Sequence, residues 1–458
     1  MRILVYPHAM EIGGSQLNAI ELAAAVRDLG HEVVVAGEPG PLVDRVRDAG
    51  IEHVPLDPGR RRPSPATVRT LRGLVAERGI DVVHGYEWPP GVEAFYTARG
   101  RPGVAAVCTV MSMAVAPFLP PSLPLVVGTR QIRRDVLDRR GRRTGAVHLI
   151  EPPVDVRANA PGHPTAAFRA RFGLDPGPLD VVVVCRLVAE LKLEGVLTAI
   201  DVVGRLADEL PLRLIIVGDG PCRGQVEARA AEANARAGRL AVVLTGPLDD
   251  PRPAYAAASI ALGMGGSALR ALAFARPLIV QGERGFFELL DPDTSATFLE
   301  QGWYGVGGRG GDRLAEILRA LADDVRRKEL GDYGRRLVTG RFGLERAATV
   351  QERIYQDALA ARAATDPIGR ALARRWDAAS TAARVVAYKT ARKARKLRGT
   401  APRDDFNAVA AKAARDEPAS GKAASGKTAP DRAAPGKPAS GEAVPGEAAR
   451  GEPGGEGR

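Results

Sequence analysis

The sequence has few cysteines and lacks long apolar runs, and each absence excludes a class of protein. Its three cysteines, Cys108, Cys185 and Cys222, include no CxxC pair, so the sequence indicates neither a disulfide framework nor a zinc site. We therefore interpret them as small buried hydrophobic residues. No uninterrupted run of about 18 apolar residues occurs, so no membrane-spanning helix is predicted.

The first residues also lack the charged and then apolar order of a signal peptide, because they read directly as the strand-like MRILVY. On that basis we expect a cytoplasmic protein. A chain of 458 residues with 45% hydrophobic composition has enough apolar material for two α/β domains, each with its own core.

Short β-branched runs alternate with longer stretches rich in Ala, Leu and Arg, as in parallel sheets with crossover helices. We predict strands at 2–6, 32–36, 81–84, 105–110, 125–127 and 147–150, and then at 181–185, 213–217, 241–244, 260–263 and 277–280. The predicted fold class is α/β, with two Rossmann-like, doubly wound domains over 1–160 and 161–360. Their sheets would face a cleft that holds the ligand site, and the Pro-rich segment 151–162 would join them.

Positive charge is concentrated late in a chain whose formal net charge is +11. The segment 370–398 is dense in Lys and Arg, and Asp377 is its single acid. We predict a basic helical extension over 361–400 that contacts an anionic membrane surface through 370–398. A solvated helix packed on the first domain and a nucleic-acid-binding arm are the alternatives, and no specific nucleic-acid partner is expected. Low-complexity composition predicts a disordered tail over 401–458.

A glycine-rich turn, EIGGSQ, follows the first strand and opens a predicted helix at 16–29. Gly13 and Gly14 allow the backbone to approach a ligand closely, and a helix N-terminus favours an anionic group such as a diphosphate. The alternative is a plain strand-to-helix turn. The turn is not a Walker A loop, because no Lys-Ser/Thr pair follows.

Two cations follow the first strand of the second half. Arg186 comes directly after an apolar run, and Lys192 lies in the turn beyond it. At the carboxyl end of a buried strand they would neutralise a leaving diphosphate, whereas the alternative is that both are solvated turn charges.

A second glycine-rich segment lies between a predicted strand and a short helix at 267–274. Its backbone amides suit a sugar or a phosphate by the same reasoning, with the residues Gly263, Met264, Gly265, Gly266 and Ser267. The segment LIIVGDGP also carries glycines, but their spacing does not match a dinucleotide fingerprint.

Taken in order, these segments resemble the family 4 glycosyltransferases, a retaining group with the GT-B fold. The resemblance covers residues 1–359 through GGSQ, DVVHGYEWP, RLVAELKLEG, LIIVGDGP, LTGPLDD and GMGGSALRALAFARP. It implies a nucleotide-sugar donor held by the second domain, a sugar, lipid-linked or polysaccharide acceptor on the first, and neither a cofactor nor an obligatory metal ion. Arg186 and Lys192 would hold the donor diphosphate opposite Gly13 and Gly14, and 263–266 would face the donor sugar.

The sequence departs from the family pattern at three places. The family's acidic pair falls on Leu262 and Arg270, and a guanidinium does not accept hydrogen bonds from ribose hydroxyls. The turn at 191–193 carries an insertion between the two expected cations. A family histidine falls near Met111, which leaves His84 as the candidate for a contact with acceptor or sugar, or as a structural histidine.

The resemblance suggests transfer with retention, in which the leaving phosphate deprotonates the acceptor, and this explains the lack of an obvious catalytic carboxylate. Two competing hypotheses remain at this stage. One is a sugar-nucleotide epimerase on the same fold. The other is a non-catalytic binding or scaffold protein with a degenerate donor site, which the residues at 262 and 270 favour.

Overall fold

The computed structural model describes residues 1–58, 62–140, 146–363, 367–400 and 406. Its first domain is built on a parallel sheet of seven strands in the order β3-β2-β1-β4-β5-β6-β7. The strands are β1 Arg2–Tyr6, β2 Glu32–Gly37, β3 Glu52–Pro55, β4 Val82–Tyr86, β5 Ala105–Val110, β6 Leu125–Val127 and β7 Val147–Leu149. Every residue of β4 and β5 is buried, as expected for central strands covered on both faces.

Five helices connect these strands, and one of them, the third, has a side-chain cap at its start and a left-handed glycine at its end. This helix begins after Ser64, whose hydroxyl accepts from the amide of Thr67, has Pro65 in its first turn, and ends at Gly79 with a φ of 60°. The helices are α1 Gly14–Asp28, α2 Val43–Asp48, α3 Pro65–Arg78, α4 Trp88–Ala98 and α5 Arg130–Arg140. Separate hydrophobic clusters fill the two faces of the sheet.

The second domain has a sheet of six strands in the order β10-β9-β8-β11-β12-β13, in which only the pairing of β12 with β13 is antiparallel. Its strands are β8 Leu179–Val184, β9 Leu212–Val217, β10 Val242–Gly246, β11 Ile260–Gly263, β12 Leu278–Gln281 and β13 Phe287–Leu289. Its helices are α6 Ala166–Arg171, α7 Glu194–Arg205, α8 Arg223–Ala237, α9 Arg252–Ala257, α10 Gly266–Ala273, α11 Ser295–Gln301, α12 Gly311–Ala320 and α13 Asp324–Arg341.

The chain crosses between the domains twice, and the two crossings are hydrogen-bonded to each other. The amide of Val154 donates to the carbonyl of Phe342 over 2.8 Å, and the amide of Leu344 donates back to Val154 over 3.0 Å. Beside them Arg341 forms a bidentate ion pair with Glu151, and both hydrogen bonds are 2.8 Å long. A cavity of about 410 Å³ lies against this pair, and none of the predicted donor-site residues lines it.

Two helices follow the second crossing and return to the first domain. Helix α14, Leu344–Ala363, packs on α1 and on one face of the first sheet. Helix α15, Pro367–Leu397, buries Ala378 and Val385 in the cluster on the other face. The last seventeen residues of the predicted second domain, 344–360, therefore belong to a helix that packs with the first sheet. No helix in the described part of the chain is long and apolar enough to cross a bilayer.

The structure confirms the α/β class with two Rossmann-like sheets and the predicted basic helix, which is α15. Two edge strands, β3 and β13, were not predicted. The first carries the polar residues Glu52 and His53, and the second has only three residues, so neither has a long apolar run. The predicted tail, 401–458, lies outside the described residues except for Phe406, whose ring packs 5.8 Å from that of Tyr388.

Candidate functional site

Each sheet has a topological switch point, where the connections from two neighbouring strands lead toward opposite edges of the sheet. The predicted site segments follow strands at these switch points. In the first sheet the neighbours are β1 and β4, and in the second they are β8 and β11. Open parallel sheets bind ligands at the carboxyl ends of such strands. Gly13 and Gly14 follow β1, Arg186 and Lys192 follow β8, and the glycines of 263–266 end β11.

The turn after β1 places free amides at a helix start. Gly13 is the N-cap of α1 in an extended conformation, with a φ of −165°. The first helical hydrogen bond runs from the amide of Leu17 to the carbonyl of Gly13 over 2.9 Å, so the amides of 14–16 precede it. These amides, together with the helix dipole, make the turn suitable for an anion.

The chain after β8 is held by its neighbours while the Arg186 side chain is exposed. Gly218, with a φ of 142°, lies so close that an added Cβ would be 1.9 Å from the carbonyl oxygen of Cys185. That glycine therefore serves the close packing of the two loops. Beyond it, Leu191 adopts a φ of 67°, and its amide donates to Glu283 over 3.2 Å. A non-glycine residue in this region is strained, and the strain lies at the predicted insertion.

Lys192 is half-buried beside the thiol of Cys185. Burial disfavours its charged form and lowers the pKa of its ammonium group to about 8. Within the described residues neither the Lys192 nor the Arg186 side chain has a hydrogen-bonding or ion-pair partner. Two cations at the carboxyl end of one central strand thus have no anionic partner among the residues that the structure describes.

Some polar groups of the loop after β11 already form hydrogen bonds with other residues of the protein. The amide of Gly265 donates to the carbonyl of Trp303 over 2.8 Å, and the hydroxyl of Ser267 donates to the carbonyl of Met264 over 2.9 Å. The first helical bond of α10 runs from Leu269 to Gly265 over 3.3 Å, which leaves the amides of 266–268 ahead of it. The helix start itself is therefore the part of the predicted 263–267 segment suited to bind a ligand.

Arg270 is paired with a carboxylate of the other domain. Its Nη2 lies 2.7 Å from Oε1 of Glu21, and the two side chains are 19% and 28% exposed. Glu21 lies on α1, about two turns beyond Gly14. Arg270 thus joins α10 to α1 across the domain boundary, an arrangement that the sequence did not indicate.

His84 is fully buried within the first domain, away from solvent. Its Nδ1 is 2.7 Å from the hydroxyl of Tyr355 on α14, and its Nε2 is 2.7 Å from the hydroxyl of Thr109. Burial lowers the pKa of the imidazole to about 3. The predicted contact with sugar or acceptor does not fit this position, and the structural alternative does, because both ring nitrogens are occupied, one by Tyr355 of α14 and the other by Thr109 of β5.

Glu87 is a site residue that sequence reasoning missed. It lies directly after β4, is 7% exposed and has a φ of 69°, a rare conformation for a non-glycine residue. Its carboxylate accepts from the hydroxyl of Ser15, the amide of Met111 and the hydroxyl of Ser112 over 2.9, 3.0 and 2.6 Å. It therefore ties the turn after β1 to the loop after β5. The sequence did contain one indication of this role, because Glu87 is an acidic residue in EWP, directly after a buried strand.

The residues that the structure describes contain no group of three or more His, Cys, Asp or Glu side chains arranged to hold a metal ion. At the carboxyl ends of the strands lie helix N-termini and cations. This chemistry suits a phosphorylated ligand.

Comparisons with known proteins agree with this architecture. The Glycosyl transferase 4-like domain family matches residues 13–150, and the Glycosyl transferases group 1 family matches residues 178–324. A D-inositol 3-phosphate glycosyltransferase of Xylanimonas cellulosilytica is 26% identical over 415 residues, covering 78% of this chain and 95% of the relative.

Solved structures share the fold at low sequence identity. A glycosyltransferase from Rickettsia africae has a TM-score of 0.64 at 14% identity, covering 78% of this chain and 98% of its own. Anabaena Alr3699/HepE, solved in complex with UDP, has a TM-score of 0.60 at 15% identity, covering 78% of this chain and 100% of its own. With both domains matched by their families, the chain belongs to the family 4 glycosyltransferases and has the GT-B fold.

Proposed function

We propose that the protein transfers a sugar from a nucleoside diphosphate sugar to an acceptor hydroxyl with retention of configuration and without a metal ion. The observation that carries this proposal is the pair Arg186 and Lys192, two cations at a strand end without an anionic partner among the described residues. The diphosphate would bind between them and the amides of the turn after β1. The amides at the start of α10 would face the donor sugar.

In this scheme the bond from the anomeric carbon to the leaving phosphate breaks on the face where the acceptor oxygen forms its new bond. The departing phosphate takes the acceptor proton, so the site needs charge stabilisation more than a protein base. Arg186 and Lys192 would supply it as negative charge develops on the phosphate. Glu87 would hold Ser15, the Met111 amide and the Ser112 hydroxyl in place through its three hydrogen bonds.

For the acceptor we propose a sugar or polyol that carries an anionic group, either free or linked to a lipid. The Arg62 guanidinium lies over the Tyr6 ring, 5.2 Å from its centre, and its buried Nη2 has no hydrogen-bonding partner among the described residues. Tyr6 ends β1, so this nitrogen lies at the carboxyl end of the first sheet. The Xylanimonas relative is named for an acceptor of this kind, D-inositol 3-phosphate.

A substrate panel tests the proposal. The purified chain is incubated with UDP-, GDP- and ADP-sugars and with inositol, inositol phosphate and polyprenyl phosphate sugars, with and without EDTA. We expect transfer from one donor class, unchanged by EDTA, to a phosphorylated acceptor, and proton NMR should show that the product keeps the donor's anomeric configuration.

Arg186→Ala should lower kcat/KM about 100- to 1000-fold, the scale for removing one preorganised donor, with an unchanged melting temperature because the side chain is exposed. Arg236→Ala, at an exposed arginine of α8, is the matched control and should leave turnover unchanged. Normal turnover in a folded Arg186→Ala variant would remove the assignment. If wild type binds no nucleoside diphosphate at all, the non-catalytic alternative is correct.

A further inference from the structure

Helix α15 has two apolar faces, and one of them packs on the first domain. The inward face contains Ala378, Thr381 and Val385, which are 3%, 0% and 6% exposed. Tyr388 continues it and packs on Phe118 and Trp88, with ring centres 4.8 and 5.9 Å away. The hydroxyl of Tyr96 donates to the carbonyl of Ala378 over 2.7 Å. The helix is therefore fixed on the first domain with a defined rotation.

The opposite side of α15 is an outward stripe of exposed residues with no charge along its centre. Trp376, Val386 and Leu397 are 75%, 63% and 82% exposed, among the most exposed large hydrophobic residues of the described chain. At about 3.6 residues per turn, the intervening exposed positions fall on the same side. The outward stripe consists of Trp376, Ala379, Ala383, Val386, Ala387, Thr390, Ala394 and Leu397.

Cations border the outward stripe on both sides. By helical periodicity the exposed Arg375, Lys389, Lys393 and Lys396 follow one edge, while Arg384 and Arg398 follow the other. The helix contains one acid, Asp377, and its carboxylate accepts from the amide of Ser122 over 3.2 Å. It is thus turned toward the body of the protein, and the outer half of the helix is cationic and apolar.

We propose that the outward stripe of α15 lies in the surface of an anionic lipid membrane. An apolar centre with cations along its edges matches the layering of such a surface, where acyl chains lie beneath phosphate head groups. A tryptophan at one end suits the head-group boundary. A nucleic-acid-binding face would instead present its cations at the centre of contact, where the phosphates lie.

The position of α15 connects this surface to the acceptor side of the site. Tyr388 packs on Trp88, the residue that follows Glu87 at the carboxyl end of β4. A membrane against the outward stripe would therefore lie beside the first domain's ligand edge.

Vesicle co-sedimentation of the full chain tests the proposal without any turnover, so its outcome is separate from that of the proposed function. Phosphatidylcholine vesicles with and without phosphatidylglycerol are compared at low and high salt. The test variant replaces Trp376, Val386 and Leu397 by Ser. The control replaces Leu240 and Val325 by Ser, because these are 51% and 65% exposed on other parts of the surface.

We expect wild type and control to bind the anionic vesicles at low salt, and the triple variant to bind at least tenfold more weakly. Trp376 emission should shift to the blue on binding, since Trp303 is buried and Trp88 is partly covered; Trp376→Phe should bind without that shift. High salt should weaken binding by screening the flanking cations. Absent binding to anionic vesicles, equal binding by the triple variant, or retention by duplex DNA in preference to vesicles would each overturn the proposal.

Discussion

Replacing Arg270 by alanine removes a guanidinium that joins the two domains. Its partner Glu21 lies on α1, behind the glycine turn, whereas Arg270 lies one turn into α10. Without the cation, the Glu21 carboxylate stays partly buried at the domain boundary without its charged partner. We expect Arg270→Ala to destabilise the contact between α1 and α10 and to leave the cores of both sheets intact.

The coupling free energy between Glu21 and Arg270 can be estimated from the distance between the two charges and from their exposure to solvent. Two unit charges about 4 Å apart attract by about 4 kcal/mol at an effective dielectric constant near 20. The side chains are 19% and 28% exposed, so desolvation offsets part of that attraction and solvent screens the rest. We expect a coupling free energy of about 1 to 2 kcal/mol, between the values for fully exposed pairs and for deeply buried ones.

A double-mutant cycle measures this coupling. Urea denaturation of wild type, Glu21→Ala, Arg270→Ala and the double variant gives the interaction term directly. The matched control is the pair Arg47 and Asp44 on α2, which are 66% and 82% exposed. That pair should couple by less than about 0.5 kcal/mol. A coupling for Glu21 and Arg270 as small as the control value would refute the interdomain pair.

The contact between Glu21 and residue 270 also determines how an acidic residue at position 270 would change nucleotide binding. In Arg270→Glu the new carboxylate faces Glu21, and like charges at this distance repel, so nucleoside diphosphate affinity should fall. Adding Glu21→Gln removes the repulsion and leaves a carboxylate able to accept from ribose hydroxyls. Calorimetric titration should show about tenfold tighter binding for the double variant than for Arg270→Glu, equivalent to about 1.4 kcal/mol. Equal affinities would mean that position 270 does not reach the ribose.

Two further predictions follow from burial. The pKa of Lys192 is lowered to about 8, and only the charged ammonium group binds an anion well. The affinity for a nucleoside diphosphate should therefore fall as the pH rises through about 8. A Lys192→Arg variant, which stays charged, should show no such fall. His84 has a folded pKa of about 3, below the ordinary 6.5, so its contribution to stability is present above about 6.5 and is lost as pH falls toward 3. Urea denaturation should show about 1.4 kcal/mol of that loss at a pH near 5.5, and this component should be missing in His84→Gln; an unchanged pH slope would contradict the buried, neutral assignment.

The sequence determined the fold class because the apolar runs of central parallel strands are visible without any tertiary information. The central strands β4, β5, β8 and β11 are almost entirely buried, so apolar residues make up most of each strand. The glycine turns are equally local, since a strand end followed by Gly and a helix is a short-range pattern. Edge strands such as β3 lack that signal because one side faces solvent.

Only the tertiary structure shows which residues contact one another over long distances in the sequence. From the sequence alone Arg270 is an unexplained cation and His84 an open candidate, because nothing local shows that α1 supplies Glu21 or that α14 returns to supply Tyr355. These contacts join residues 249 and 271 positions apart. The same holds for α15, whose charge and length are readable in the sequence. Only its packing on Phe118 and Trp88 shows which apolar face is buried, and therefore that Trp376 and Leu397 face outward.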